Sequence, residues 1–156
     1  MKQTAQLDPI DRRILRVLQR NAGISNQDLA DQVGASAASC WRRVRALEDA
    51  GILGPQVRLV VPEQIGRGLD VFCHIRMKAQ DQATRAAFEA FVESHEEVVE
   101  CYSTSGDWDY LLHVVAHDVA DYERVLMRSI LEHTAIAGSS STFALRRVKH
   151  TTALPL

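Results

Sequence analysis

No stretch of this chain is apolar for long enough to cross a bilayer, which takes about 20 predominantly apolar residues in one helix. Residues 1–9, Met-Lys-Gln-Thr-Ala-Gln-Leu-Asp-Pro, lack the apolar core of a signal peptide, so a cytoplasmic protein with no membrane partner is expected. Cysteine is sparse: Cys40, Cys73 and Cys101 are odd in number, widely spaced and each set in an apolar pattern. That excludes a disulfide framework and predicts reduced, packed thiols. Metal-ligand spacing is also missing. Of six histidines, His113 and His117 share parity on one segment but lie about 13 Å apart at strand rise, too far to chelate one ion. His74, His95, His133 and His150 show no ligand spacing, and no metal, cofactor or catalytic constellation is expected.

A 156-residue chain with 46% hydrophobic residues can build one ordinary domain or two small ones. The net charge of −2 conceals an uneven distribution. Residues 1–60 carry nine Lys/Arg against six Asp/Glu, and residues 61–156 carry nine against fourteen. A basic first part joined to an acidic second part predicts that only the first meets a polyanion.

The stretch from Ser25 to Gly51 gives that expectation a shape. Ser25, with Asp28 three residues on, opens a helix that continues through Leu29, Ala30 and Val33 and ends at Gly34. Ser36 caps a second helix, which Gly51 stops. At about 100° per residue, Cys40, Val44 and Leu47 fall on one side of it. Ala38, Arg42 and Arg45 fall on the other side, with Ser39, Trp41 and Arg43 on the flanks. Every charge between Ser36 and Leu47 is positive, and the acids Glu48 and Asp49 come only at the far end. This is the pattern of a helix-turn-helix whose second helix enters a major groove; the plainer alternative is a solvated basic surface helix.

Around this pair, Asp8-Pro9 opens an earlier helix carrying Ile10, Ile14, Leu15 and Leu18. Gln56 to Val61 reads as a strand, the wing of a winged helix, and Pro62 to Gly68 as a hinge. Beyond it, Val71, Cys73, Ile75 and Met77 alternate with polar residues as a strand; Gln82 to Ser94 is helical and Val98 to Ser103 a strand. Tyr110 to Ala116 is an apolar strand, Val119 to Leu131 an amphipathic helix, and Thr142 to Val148 a last strand. The order is βαββαβ, a ferredoxin-like split. Its central strand, Tyr110 to Val115, is apolar on both faces although helices cover only one, which predicts a dimer through the second domain. The fold class expected is α+β: a winged helix-turn-helix over residues 1–55, a strand and hinge linker over 56–68, and a ferredoxin-like (ACT-like) domain over 69–156.

Along nearly its whole length the chain resembles the Lrp/AsnC (feast/famine) transcriptional regulators. The resemblance rests on Leu7-Asp8, Asp11, Ile14-Leu15, Leu29-Ala30, Ser36, Cys40, Arg43-Val44, Leu47-Glu48 and Gly51-Ile52. In the second part it rests on Ile65-Gly66, Val98 to Tyr102, Gly106-Asp107-Trp108-Asp109-Tyr110-Leu111-Leu112 and the tail Val148 to Pro155. The resemblance implies a DNA-binding regulator, dimeric and often octameric, that binds a small molecule, usually an amino acid, between subunits. Cys40-Trp41-Arg42-Arg43, Leu47 to Leu53 and Ser141 to Ala144 look like the subgroup that includes cysteine-responsive regulators. Ala37 and Ala38 stand where members often carry proline.

For a pseudo-palindromic operator in double-stranded DNA, Ser39, Arg42 and Arg45 are assigned to base edges or the adjacent backbone. Ser36 and Arg43 are assigned to phosphates, with pairing of Arg43 to Glu48 as the competing reading; Trp41 either flanks the groove or packs. For the effector, Ser105-Gly106-Asp107-Trp108-Asp109 offers a glycine that lets the backbone approach, exposed amides for a carboxylate and an aspartate for an ammonium. An ordinary hairpin turn is the alternative, and the resemblance favours the ligand site. The partner subunit would contribute Thr134, Ala135, Ser139, Ser140 and Thr142. Cys101, beside that turn, is expected to be buried and inert rather than a redox sensor. Two rivals are a haem-precursor decarboxylase on a similar two-domain plan and a DNA-packaging protein without an effector. The first is opposed by the basic helix face and by the lack of a basic cluster in the second domain.

Overall fold

The computed structural model describes residues 6–156. Residues 1–5, including most of the stretch that lacks a leader's apolar core, lie outside the described residues. The chain divides into two units: one is the chain up to Leu59 together with Lys149–Leu156, the other Val60–Val148.

In the first unit α1 (Pro9–Leu18), α2 (Asn26–Val33) and α3 (Ala37–Asp49) start at the predicted caps. Asp8 accepts from the amides of Ile10 and Asp11, both at 2.8 Å, while Asp11 accepts from the amide of Asp8 at 3.2 Å, closing a capping box. Ser25 and Ser36 cap α2 and α3, and Gly34 ends α2 with φ 70°, a conformation that glycine adopts without steric cost. Ile14, Leu15, Leu29, Ala30, Val33, Cys40 and Leu47 form the core. Each large side chain buried this way contributes roughly 1.5–3 kcal/mol. The tail belongs to this unit rather than to the sheet: Leu156 packs on the helical core, Gln19 exchanges two hydrogen bonds with the backbone of Leu154, and Arg16 donates to the Leu156 oxygen.

The predicted strand at Gln56–Val61 does not form. The segment has no regular structure and pairs with no strand among the described residues, and Val57, Leu59, Val60 and Val61 stand exposed. β-propensity alone cannot hold a strand that has no ladder partner.

The second unit is β1 (Leu69–Met77), α4 (Gln82–Glu93), β2 (Val98–Ser103), β3 (Tyr110–Ala116), α5 (Val119–Val125) and β4 (Ile136–Phe143). The sheet runs β2-β3-β1-β4 with every pair antiparallel, the ferredoxin-like arrangement. The last strand differs from expectation, beginning at Ile136 and ending where Thr142 to Val148 was predicted to start. An edge strand held by β1 alone needs backbone hydrogen bonds more than apolar side chains, so the Ser-rich 139–141 stretch serves. The second helix also differs, passing into a π-helical turn at Leu126–Ile130.

Val71, Cys73, Ile75 and Met77 of β1 and Tyr110, Leu112, Val114 and Ala116 of β3 pack under Phe88 and Val92 of α4 and under Tyr122, Val125 and Ile130. The other sheet face carries Phe72, stacked on His113 at 4.9 Å, with Tyr102 and Leu111. There His113 Nε2 meets Asp70 Oδ1 at 2.8 Å and Arg147 Nη2 donates to both Asp70 oxygens at 2.9 Å. Burial pushes the Asp70 carboxyl up, but His113 and Arg147 together hold it below its usual range.

Gly66 follows a 3-10 turn at Pro62–Ile65 with φ 72°, and a Cβ there would meet His117 Cδ2 at 3.2 Å. Gly66→Ala is therefore expected to cost about 1–2 kcal/mol. A lower midpoint of chemical denaturation checks this, and an unchanged midpoint would contradict it.

Candidate nucleic-acid interface and effector cleft

On α3 the narrow stripe predicted to be buried is buried: Cys40 at 0% and Leu47 at 5% exposure, with Val44 partly covered. Ala38, Arg42 and Arg45 face outward and Ser39 is half-buried. Trp41 is not packed: it is 54% exposed, with the Arg45 guanidinium 5.9 Å from its ring centroid. Ser36 is spent in part on capping, accepting from the Ser39 amide at 3.3 Å. Arg42 makes no ion pair among the described residues, and Arg45 pairs with Glu48 at 3.0 Å. Both partners of that bridge are well exposed, so it is worth little and exchanges readily for another anion.

Arg43 does not pair with Glu48. Glu48 is held by Arg45, while Arg43 Nη1 reaches back to α1 and meets Asp8 Oδ2 at 2.6 Å and Asp11 Oδ1 at 2.7 Å. Amide donation from Asp11, and then Arg43, hold the Asp8 carboxyl below its usual range. The pairing spans more than thirty residues of sequence, which is why helical periodicity did not reveal it.

The β2–β3 turn is knit closely. Thr104 Oγ1 donates to the Trp108 carbonyl at 2.6 Å, the Asp109 amide to the Ile75 carbonyl at 2.9 Å, and Gly106 adopts φ 117°. Asp109 is already engaged, accepting from the Met77 amide at 2.7 Å and from Gln80 at 2.8 Å. Ser105, Gly106 and Asp107 are exposed, and Arg76 stands 4.7 Å over the Trp108 ring while donating to the Asp107 carbonyl.

Beside the turn lies a cleft of about 260 Å³ lined by Met77, Gln80, Arg85, Ser103, Thr104, Gly106, Asp109 and Tyr110. Only Gly106 and Asp109 of it were anticipated. Arg85 comes from α4 and Met77 from the end of β1, and nothing local in the sequence marks them as neighbours of the turn. At the floor Tyr110 donates to Glu89 at 2.7 Å; burial and then Glu89 push its hydroxyl up to about 12.

In its own chain the segment expected to come from a partner subunit lies on and beside β4. Thr134 and Ala135 precede β4, and Ser139, Ser140 and Thr142 lie within it rather than in a loop. In the ladder Ser140 is opposite His74 and Thr142 opposite Phe72. None of them lines the cleft of its own chain. Cys40 and Cys73 are buried, but Cys101 is exposed on the edge strand, contrary to expectation. Partial burial and Glu89 nevertheless raise its thiol above the usual range, which disfavours the reactive thiolate. No group of three or more candidate metal ligands occurs, and no helix is long and apolar enough to cross a membrane, among the described residues.

Comparison with known proteins meets this geometry at both ends of the chain. Residues 7–53 match the family described as winged helix-turn-helix DNA-binding, and residues 70–154 match the Lrp/AsnC ligand binding domain. The chain is 36% identical over 151 residues to the glutamate uptake regulatory protein of Zymomonas mobilis, covering 97% of this chain and 92% of that one. It is 35% identical over 150 residues to the DNA-binding transcriptional activator DecR of Escherichia coli, covering 96% and 99%. Among solved structures, a transcriptional regulator of Neisseria meningitidis in complex with L-Met superposes with a TM-score of 0.92 at 35% identity, covering 96% of this chain and 97% of that one. An AsnC family regulator of Agrobacterium tumefaciens gives 0.91 at 39% identity with the same coverage. With a capped basic helix in one unit and a ferredoxin-like ligand-binding unit in the other, the chain belongs to the Lrp/AsnC family of DNA-binding transcriptional regulators, a family of regulators rather than enzymes.

Proposed function

We propose that this regulator binds a pseudo-palindromic operator as a dimer, or as a larger ring of dimers, and that an amino acid held at the β2–β3 turn between subunits modulates it. The domain division that serves this is a DNA-binding part over residues 1–55, a linker over 56–68 and a sensing part over 69–156, whose tail Lys149–Leu156 belongs to the helical unit. Ser39, Arg42 and Arg45 read base edges or the backbone beside them, Ser36 meets a phosphate and Trp41 flanks the groove. The observation that carries the effector reading is a cleft bordered at once by a cation, Arg85, and a carboxylate, Asp109, beside the exposed Asp107. An amino acid presents the complementary pair of charges. The relative solved with L-Met supports a ligand of this class. Partner copies would meet across the sheet face bearing Phe72, Tyr102 and Leu111 and bring Thr134, Ala135, Ser139, Ser140 and Thr142 toward the site.

Calorimetric titration with the twenty amino acids, cysteine included, tests the effector. Wild type is expected to bind one or a few of them, and Arg85→Ala and Asp107→Ala to weaken that binding roughly ten- to hundredfold each, the worth of a hydrogen bond to a charged group. No binding by wild type, or undiminished binding by both variants, would contradict it.

A further inference from the structure

Arg43 sits between Arg42 and Val44 in the middle of a helix whose outer face meets DNA, yet its side chain turns away from that face. One nitrogen, Nη1, is shared by two carboxylates from the start of α1, and Nε is buried with no partner. Each carboxylate is used twice. Asp8 gives one oxygen to the amides of Ile10 and Asp11 and the other to Arg43; Asp11 gives one to the amide of Asp8 and the other to Arg43. The cap of α1 and the flank of α3 are thus a single hydrogen-bonded cluster. One positive charge faces two negative ones, so the cluster as a whole is anionic and repels a phosphate.

The buried stripe of Cys40 and Leu47 sets which side of α3 faces the core, and the bonds from Arg43 to Asp8 and Asp11 add a polar tie between the flank of α3 and the start of α1. We propose that Arg43 is a positioning residue: it locks the rotation of α3 against the N-terminal cap of α1 and thereby aims Arg42 and Arg45 without itself touching DNA. This rests on the DNA-binding role of the helix and narrows the interface to Ser36, Ser39, Trp41, Arg42 and Arg45. Arg43 Nη1 bonds two carboxylates that leave two different backbone positions in fixed directions, and two such anchors resist rotation where one ion pair to a flexible partner would not.

The sign of one substitution separates the two roles. Asp11→Asn removes a negative charge near the interface and keeps Asp8 as the helix cap. If Arg43 were a phosphate ligand restrained by acids, Asp11→Asn would free it and tighten DNA binding. If Arg43 positions α3, the same change loosens the clamp and weakens binding. The experiment measures affinity of the full chain for a duplex protected by wild type, over a series of salt concentrations, at a temperature where circular dichroism shows all variants folded. Asp11→Asn and Arg43→Ala are both expected to weaken binding roughly five- to hundredfold, the worth of one misplaced base contact. The dependence of log affinity on log salt keeps the wild-type slope, because no phosphate contact is lost. Tighter binding by Asp11→Asn, or a slope lowered by about one in Arg43→Ala, would overturn the proposal in favour of phosphate contact. Variants that bind as wild type while melting earlier would overturn it in favour of a purely structural pair. Failure of wild type to bind any duplex would remove this reading together with the DNA-binding one; wild-type binding with unaltered variants removes this reading alone.

Discussion

An Arg42→Ala, Arg45→Ala double variant is expected to bind its operator roughly 30- to 10⁴-fold more weakly than wild type, from two base contacts each worth about 1–3 kcal/mol. The expectation follows from the roll of α3. Its buried stripe of Cys40 and Leu47 leaves the opposite side to Arg42 and Arg45, and neither arginine is tied to the protein by a bond that matters to folding. Arg42 has no ionic partner among the described residues, and the exposed Arg45–Glu48 pair is worth at most a few tenths of a kcal/mol. The double variant should therefore melt within a degree or two of wild type, and anisotropy titration of a labelled duplex reads the binding loss without a folding artefact. Normal affinity would mean that the helix presents another face to DNA.

The second large effect lies in the sheet unit. Phe88 of α4 is completely buried, with ring centroids 4.8 Å from Tyr110, 5.8 Å from His133 and 6.3 Å from Phe91. Phe88→Ala removes the central member of this aromatic group and leaves a cavity under α4. It is expected to lower stability by about 3–5 kcal/mol. The helical core of Ile14, Leu29 and Leu47 shares no residue with the core around Phe88. Hydrogen exchange should therefore show faster opening of β1 and β3 while α1–α3 keep wild-type protection. Equal acceleration in both sets would show that the two cores unfold as one.

Where an element is specified by neighbours in sequence, the sequence was a sufficient guide. Asp8, Ser25 and Ser36 cap helices because each oxygen needs only an amide two or three residues on. The alternation of Val71, Cys73, Ile75 and Met77 is the burial pattern of β1 because a sheet covered by helices on one face demands period two. Misreadings arose where a distant partner decides. Gln56–Val61 has strand composition but no ladder, and Ile136–Phe143 has loop composition but pairs along its length with β1. Leu126–Ile130 continues the apolar periodicity of α5 but takes a π turn that no local residue type announces. The same logic applies to the sites. The outward faces of Arg42 and Arg45 follow from helix geometry, whereas the capture of Arg43 by α1 requires the tertiary fold. The β2–β3 turn could be found from Gly106 and Asp107, but the cleft beside it needs Arg85 and Met77 from two other elements.

On this reading DNA meets the outer side of α3 and nothing on the sheet. Titrating the nitrogen-15-labelled full chain with an operator duplex, and following each amide resonance, tests it most directly. The largest shifts are expected at Ser36, Ser39, Trp41, Arg42 and Arg45, with β1–β4 unmoved. Shifts gathered on the sheet, with α3 silent, would contradict it.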